Sequence, residues 1–143
     1  GDTSAGVMGD ILATRMRVRG VAGLVTDGAV RDVAGVTASG FPVVCASATA
    51  PANIASFSDG GRQLAIACGG VCVVPGDAII ADHDGAIVIP ADLLEAVVDD
   101  GEKQEAFEAW VLGEVEAGQG IFGLYPPDEE TRARYEASKA QQD

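Results

Sequence analysis

The sequence predicts an α/β fold, and three observations lead to that prediction. Residues 9–46 alternate between helix-like segments and short apolar segments, which is typical of parallel strands joined by helices. Residues 63–89 contain shorter apolar runs separated by turn residues, which indicates antiparallel strands. From residue 91 onwards, apolar residues recur at helical spacing. We therefore expect one α/β domain over residues 1–120, followed by a C-terminal tail over residues 121–143.

Composition and charge narrow the class of protein. The 143 residues are 48% apolar, which is enough for one soluble domain with a hydrophobic core. Nine Lys and Arg residues against 22 Asp and Glu residues give a net charge of −13. This charge repels the phosphates of nucleic acids and of anionic membranes, so we expect neither as a partner. Because no apolar run approaches the roughly 18 residues of a membrane span, we expect a cytoplasmic location.

The first predicted helix covers residues 11–19 and ends at a glycine. Its apolar residues Ile11, Leu12, Met16 and Val18 are expected to face the core, and its arginines are expected to face solvent. The elements predicted after it are a buried parallel strand over residues 21–26, a turn at Asp27-Gly28, a helix over residues 30–39 and a strand over residues 41–46.

The second half is predicted to contain short strands and then helices. Residues 49–61 predict a loop. The elements expected beyond it are strands over residues 63–74, 77–81 and 86–89, and helical segments over residues 91–100 and 102–117.

The cysteines and the single histidine are predicted to be structural. Cys45, Cys68 and Cys72 lie in apolar, strand-like segments, which favours buried, reduced thiols. His83 is a candidate acid–base group, but it lies in an Asp-His-Asp-Gly stretch whose residue types favour a plain turn. We therefore expect a turn there rather than a catalytic or metal site.

The tail contains an aromatic segment and then a charged one. Phe122, Leu124 and Tyr125 form an apolar cluster that nothing else in the predicted domain is expected to cover. Exposed clusters of this kind favour contacts between subunits. Residues 128–143 predict a short charged helix.

Two acid-bearing pairs, Gly9-Asp10 and Arg31-Asp32, are separated by 20 residues and are each predicted to begin a helix. If the strands that precede them are parallel, both pairs lie at one edge of the sheet, where α/β proteins usually bind ligands. The backbone N–H groups of Gly9, Asp10 and Ile11 suit a carboxylate. Arg31 supplies a permanent positive charge, and Asp32, pointing away from Arg31, supplies a hard ligand for Mg²⁺ or Mn²⁺. These groups together suit a 2-oxo acid.

A purely structural interpretation also accounts for each pair taken singly. An Asp at the start of a helix is most often a cap, and adjacent Arg and Asp residues are most often a solvated ion pair. The spacing of the two pairs favours the functional interpretation.

The sequence resembles the RraA-like family. The resemblance lies in the Gly9-Asp10 and Arg31-Asp32 pairs, in the stretch RGVAGLVTDGAVRD and in the stretch GGVCVVPGDAIIADHDGAIVIP. The family includes class II, metal-dependent pyruvate aldolases and regulators of ribonuclease E. The resemblance implies a three-layer β/β/α domain, similar to swivelling phosphohistidine-type domains, that assembles into homotrimers or hexamers. It also implies that this chain is the C-terminal two-thirds of a longer protein.

The resemblance adds three weaker site candidates. In the aldolases, a glutamate of the C-terminal helix reaches the neighbouring subunit's site and helps to hold a catalytic water. Glu105 is the favoured match for this glutamate, and Glu102 is the alternative. Asn53 and Arg62 lie in a segment that is near the site or a subunit contact in the family, although a surface loop is the more common role for such residues.

The predicted function is a lyase that cleaves a C–C bond of a 2-oxo acid. The expected reactions are retro-aldol cleavage of 4-hydroxy-4-methyl-2-oxoglutarate and decarboxylation of oxaloacetate, both giving pyruvate through a metal-stabilised enolate. Arg31 is expected to contact the keto oxygen, and Asp10 to position Arg31 or a metal-bound water. The alternative is a non-catalytic trimeric regulator that binds ribonuclease E or another protein.

Overall fold

The computed structural model describes residues 1–52 and 58–140. The chain divides into two compact units, Gly1–Ala91 and Asp92–Asp143. The sequence predicts a division between residues 120 and 121 instead. The difference arises because Leu124 of the tail packs against Phe107 and Val111 of the long helix, so that the tail and this helix share one core.

The first unit contains two helices and six strands. These are α1 (Asp10–Val18), β1 (Leu24–Val30), α2 (Val33–Ser39), β2 (Val43–Ala48), β3 (Ile66–Cys68), β4 (Val71–Val73), β5 (Ala78–Ala81) and β6 (Ala86–Ile89). The mixture of parallel strands, antiparallel strands and helices confirms the predicted α/β class.

Strands β1 and β2 form the parallel pair, with Leu24 opposite Val43 and Val30 opposite Ala48. The prediction of a parallel strand here is confirmed, but its end is wrong. Strand β1 continues through Asp27-Gly28 to Val30, with a register irregularity between Thr26 and Ala29. Asp27 and Gly28 therefore lie within the strand and do not reverse the chain. The Gly28 N–H donates to Thr26 Oγ1 at 3.0 Å, and an irregularity of this kind kinks a strand without reversing it. Helix α2 accordingly begins later than predicted.

The remaining strands form two antiparallel pairs, β3 with β4 and β5 with β6, as the turn pattern predicts. The predicted single strand over residues 63–74 is wrong, because Gly69 and Gly70 make a two-residue hairpin turn inside it. Both glycines have positive φ, 58° and 81°, which is the requirement of a type I′ turn. The cysteines are unpaired, and Cys72 is exposed rather than buried because it lies on this short hairpin.

The core of the first unit lies between the helices and the parallel strands. Its buried residues are Met8, Ala13, Val30, Val36 and Phe41. The predicted inner face of α1 is partly wrong. Ile11, Leu12 and Val18 are 79%, 53% and 66% exposed, whereas the buried residue of this helix is Ala13.

The second unit is a pair of helices, α3 (Leu94–Glu116), preceded by a short 3₁₀ turn, and α4 (Glu129–Lys139). Phe107 and Val111 of α3 bury Leu124, so the expectation that nothing in the chain covers Leu124 is wrong. Phe122 remains 99% exposed, as the sequence predicts. The charged helix of the tail is confirmed. In the part of the chain that the structure describes, no helix combines the length and the apolarity needed to cross a membrane.

Candidate functional site

The site is built where the segment before α1 runs alongside the end of β1. Gly6 forms a parallel bridge with Ala29, the Val7 N–H donates to the Ala29 carbonyl at 2.8 Å, and the Arg31 N–H donates to the Met8 carbonyl at 2.9 Å. The expected parallel arrangement is therefore present. As a result, Gly9 and Arg31 follow neighbouring parallel segments and lie at the same edge.

The two residue pairs come together at this edge. A Cβ placed on Gly9 would overlap Asp32 Oδ2 and would lie 3.3 Å from both Cγ and Cζ of Arg31. The side chains of Arg31 and Asp32 thus lie directly over the Gly9 backbone. Only a residue without a side chain permits this approach.

Asp32 connects β1 to α2 in an uncommon conformation. Its φ of 55° and ψ of 41° are left-handed, a region that Asp tolerates better than most residues. In this conformation Asp32 Oδ2 lies 3.0 Å from Arg31 Nη1. The expectation that Asp32 points away from Arg31 is therefore wrong. Both side chains are about 40% exposed, so the ion pair is open to solvent and weak on its own.

Asp10 contacts the start of its own helix and the neighbouring helix. Its Oδ1 accepts a hydrogen bond from the Ile11 N–H at 2.7 Å. Its carboxylate also packs on α2, since a Cβ on Gly35 would lie only 2.6 Å from Asp10 Oδ2. The predicted three-amide anion site is thus reduced, because Asp10 itself uses the Ile11 N–H. Asp10 accepts its hydrogen bond from Ile11 rather than from Arg31, so this geometry does not support direct positioning of Arg31.

A cavity of about 180 Å³ lies against these residues. Three of the four predicted substrate contacts, Gly9, Ile11 and Arg31, line it, whereas Asp10 does not. The other lining residues are Gly6, Val7, Met8, Leu12 and Ala52. Within residues 1–52 and 58–140, the N–H groups of Gly9 and Asp10 have no hydrogen-bond acceptor. The cavity is therefore lined by Arg31 and by Gly9, whose N–H is available to a small anion, and the Asp10 N–H belongs to a residue next to this lining.

The donor set fits a divalent cation of the magnesium type. Asp32 presents one carboxylate, a hard oxygen donor, that is 39% exposed; it lies 3.0 Å from Nη1 of the cavity-lining Arg31 but does not itself line the cavity. Mg²⁺ is commonly held by one or two carboxylates, with water and substrate completing its shell. Among the described residues, no three His, Cys, Asp or Glu side chains are grouped as metal ligands, so a site made wholly of protein side chains is not formed there.

Two of the other sequence candidates, Glu105 and Arg62, are not among the residues that line the Arg31 cavity. Glu105 is on the exposed face of α3 in the second unit, where it lines an apolar cavity of about 540 Å³ with Leu112 and Tyr125. Asn53 lies outside the described residues. Arg62 is exposed and does not line the Arg31 cavity.

The Asp-His-Asp-Gly stretch forms the expected turn between β5 and β6. Asp82 Oδ1 accepts hydrogen bonds from the N–H groups of Asp84 and Gly85, at 2.8 Å and 3.2 Å. His83 is exposed within this turn. The residues around it therefore serve the backbone.

Two glycines at the site were not singled out from the sequence. A Cβ on Gly6 would lie 3.0 Å from both Cβ and N of Arg31, so Gly6 permits the close approach of the two parallel segments. Gly35, which has no side chain, leaves room for the Asp10 carboxylate against α2. A glycine inside a helix lowers helix stability, and this cost was the signal that could have identified Gly35.

Comparison with known proteins gives consistent results. The family model described as "RraA-like: Aldolase/RraA" matches residues 1–88. A Halalkalibacterium halodurans protein, provisionally named a 4-hydroxy-4-methyl-2-oxoglutarate aldolase, is 37% identical over 106 residues, which are 74% of this chain and 50% of that protein. The chain therefore spans about half the length of this relative.

Solved structures agree at the level of the fold. A Streptomyces coelicolor protein, described as an unusual member of the RNase ES inhibitor RraA family, is 34% identical with a TM-score of 0.69, over 77% of this chain and 56% of that one. An uncharacterised Pseudomonas syringae protein has a TM-score of 0.80 at 23% identity, over 85% of this chain and 60% of that one. The match of the family model over more than half of the sequence decides the assignment. This chain belongs to the RraA-like family and has an RraA-like α/β fold.

Proposed function

We propose that this protein is a lyase that cleaves a C–C bond of a 2-oxo acid and releases pyruvate. The observation that carries the proposal is the meeting of Gly9 with Arg31 and Asp32 beside a cavity of about 180 Å³. The aldolase name of the Halalkalibacterium halodurans relative supports the same reaction class. The proposed reactions are retro-aldol cleavage of 4-hydroxy-4-methyl-2-oxoglutarate and decarboxylation of oxaloacetate.

Both reactions develop negative charge on the same atom. When the bond between C3 and C4 breaks, its electron pair forms the enolate of pyruvate, and the charge collects on the former keto oxygen. Arg31 is the group proposed to stabilise that charge, because its guanidinium lines the cavity before the charge develops. The N–H groups of Gly9 and Asp10 would hold the substrate carboxylate.

The proposed cofactor is Mg²⁺ or Mn²⁺, held by Asp32. Such an ion would supply additional positive charge to the 2-oxo acid when bound. The Ile11 N–H donates to Asp10 Oδ1, and this hydrogen bond would fix the first turn of α1. The N–H groups of Gly9 and Asp10 would thereby be held in one direction. Glu105 is proposed, from the family resemblance, to help hold a catalytic water in a neighbouring subunit.

Pyruvate release from the two substrates, measured with Mg²⁺ and with EDTA, tests the proposal. We expect metal-dependent release above the rate of the metal alone. Arg31→Ala should slow the reaction by roughly a hundredfold or more, which is typical of losing one pre-placed electrostatic donor. Asp32→Ala should in addition weaken the response to the metal.

The matched control is Arg17→Ala, which removes an exposed arginine of α1 that does not line the cavity. This variant should retain the wild-type rate. Full activity of Arg31→Ala, or an equal loss in both arginine variants, would contradict the assignment.

The second candidate function is regulation of a ribonuclease by direct binding. It is favoured by the 34% identity to the Streptomyces coelicolor protein described as a member of an RNase ES inhibitor family. Cleavage of an RNA substrate by ribonuclease E, with and without the protein, separates the candidates. Inhibition of the ribonuclease by both the wild type and Arg31→Ala, together with no pyruvate release by the wild type, would favour the regulator.

Self-association is proposed for either function. Phe122 is 99% exposed, and Ile121, Leu112 and Tyr125 are each about half exposed on the same unit. Apolar side chains grouped on a surface in this way favour a contact between copies of a chain. A homotrimer, or a hexamer of two trimers, is the state that the family resemblance implies.

A further inference from the structure

The exposed face of α1 combines apolar and basic side chains. Ile11, Leu12 and Val18 are 79%, 53% and 66% exposed. Arg15 and Arg19 are exposed as well. These five residues have the spacing i, i+1, i+4, i+7 and i+8, which places them on one side of a helix. We call this set of five residues the α1 stripe.

The charge of the α1 stripe is opposite to the net charge of the chain. Arg15, Arg17 and Arg19 are three of the nine Lys and Arg residues in a protein of net charge −13. The ion pairs formed by the described residues involve neither Arg15 nor Arg19. Arginines near the end of a helix also stabilise its dipole, but that effect does not account for the exposed apolar side chains beside them. The stripe therefore suits a partner that is both apolar and anionic.

A groove with this complementary chemistry lies on the second unit. It has a volume of about 540 Å³ and is formed by α3 and the segment that follows it. Its apolar lining includes Leu112, Val115 and Ile121, which are all exposed. Its charged lining residues are two carboxylates, Glu105 and Glu108. We call it the α3 groove, and its chemistry complements an apolar helix face that carries cations.

Glu108 is held in place within the α3 groove. Gln104 Nε2 and the Tyr125 hydroxyl donate to its Oε1, at 2.7 Å and 3.3 Å. Both hydrogen bonds from the described residues go to this oxygen, and Oε2 accepts neither of them. A side chain that is already ordered loses less conformational entropy when a guanidinium group binds to it. Glu108 is therefore the carboxylate of the groove that is best prepared to receive an arginine of the stripe.

We propose that the α1 stripe of one copy binds in the α3 groove of a second copy. This inference rests on the self-association proposed above and names its two surfaces, because Leu112, Ile121 and Tyr125 of the groove belong to the surface proposed for that contact. A second copy is favoured over an unrelated partner because one chain carries both complementary surfaces. The surfaces are unlike, so each copy offers one and receives the other, which is a heterologous contact.

Mixing two variants tests this pairing. Val18→Asp changes the stripe and Leu112→Asp changes the groove, both at exposed positions. Each should raise the dissociation constant of self-association by roughly tenfold or more, because an apolar contact is replaced by a carboxylate near other carboxylates. Sedimentation of an equimolar mixture should show a dimer at concentrations where each variant alone is a monomer. The reason is that the intact stripe of Leu112→Asp fits the intact groove of Val18→Asp.

Reversal of charge provides the second arm. Arg15→Glu should raise the dissociation constant by roughly threefold to tenfold, because attraction to Glu108 becomes repulsion. Glu108→Arg should act in the same direction, and the two changes together should bring the constant back to within about threefold of the wild type. The matched control is Arg17→Glu, which makes the same change of charge on the same helix outside the stripe. This control should leave the mass distribution unchanged.

The outcomes separate the pairing from self-association itself. A mixture of Val18→Asp and Leu112→Asp that stays monomeric, or an equal effect of Arg15→Glu and Arg17→Glu, overturns the pairing. A wild-type mass for Val18→Asp alone also overturns it, and the stripe would then bind something other than a second copy. A wild type that is monomeric at every concentration overturns self-association and the pairing with it. The lyase function is judged separately, by pyruvate release.

Discussion

At the scale of single residues, Gly9 is the position where the structure leaves no room for a side chain. Gly9→Ala would force Asp32 to move and would press on Arg31 Cγ and Cζ, which lie 3.3 Å from the new Cβ. Small displacements of catalytic groups are costly to reaction rates, so we expect pyruvate release to fall by roughly tenfold to a hundredfold. Steady-state kinetics and thermal melting, measured on the same preparation, test this expectation.

Gly60→Ala is the matched control, because a Cβ there meets nothing within 4 Å. It should leave both the rate and the melting temperature unchanged. If Gly9→Ala retained the wild-type rate, the close packing of Gly9 with the Arg31–Asp32 pair would have no functional meaning. If the rate of Gly9→Ala fell only in proportion to the fraction of folded protein, the effect would be one on folding.

The contacts of single residues were predictable where they depend on the spacing of motifs along the chain. They were not predictable where they depend on a backbone angle. The meeting of Gly9 with Arg31 follows from strand order and was predictable. The pairing of Asp32 with Arg31 depends on the left-handed conformation of Asp32, which the surrounding fold imposes. The contact of Asp10 with Gly35 joins two helices and has no counterpart in local sequence pattern.

At the scale of elements, the types of helices and strands were predictable and several of their ends were not. Turn-forming residues at Asp27-Gly28 predict chain reversal, but the strand absorbs them as an irregularity in its register. The apolar face of α1 shows a second limit. Ile11 and Leu12 have the periodicity of core residues, yet they line a cavity, and periodicity alone cannot distinguish these two roles.

Helix α4 gives a prediction about pH. Asp128 caps this helix, and its Oδ1 accepts a hydrogen bond from the Thr131 N–H at 2.8 Å. Hydrogen bonds from the backbone and side chain of Thr131 lower the pKa of Asp128 below its ordinary value of 3.8. A lowered pKa stabilises the folded state above the ordinary pKa, and this stabilisation is lost as the pH falls through the folded pKa. We therefore expect part of the acid destabilisation of the second unit to come from Asp128.

Trp110, the one tryptophan of the sequence, reports the docking of α4, because the Tyr135 ring lies 5.5 Å from it, centroid to centroid. Denaturant unfolding followed by Trp110 fluorescence should show that Asp128→Asn loses less stability than the wild type between about pH 5 and pH 2. Asp99→Asn, at an exposed position of α3, is the control and should follow the wild type. Parallel curves for Asp128→Asn and the wild type would show that the cap does not contribute to the pH dependence.

At the scale of the whole molecule, the α/β class and the RraA-like family were predictable because they depend on the order of elements and on motif spacing. The division into units was not, since it depends on which apolar residues of the tail find partners. Leu124 is 3% exposed because α3 covers it, whereas Phe122, two residues earlier, is 99% exposed. Because both residues are apolar and lie in the same short segment, the sequence predicts the same degree of exposure for both.

The contrast between these two residues leads to a prediction about assembly. Phe122 is almost fully exposed, so replacing it should not weaken the fold of a single chain, but it should weaken a contact between chains. Burying a phenylalanine ring is worth about 1.5–3 kcal/mol, so Phe122→Ser should raise the dissociation constant of each such contact by roughly tenfold or more. Sedimentation analysis over a range of concentrations should show the variant shifting towards monomer, while its melting temperature at low concentration stays at the wild-type value.

Leu64→Ser, which removes an apolar side chain that is 57% exposed in the first unit, is the control and should leave the mass distribution unchanged. Equal masses for the wild type and Phe122→Ser at all concentrations would show that Phe122 does not hold the copies together, and Leu112, Ile121 and Tyr125 of the same unit would then be the next candidates for that contact.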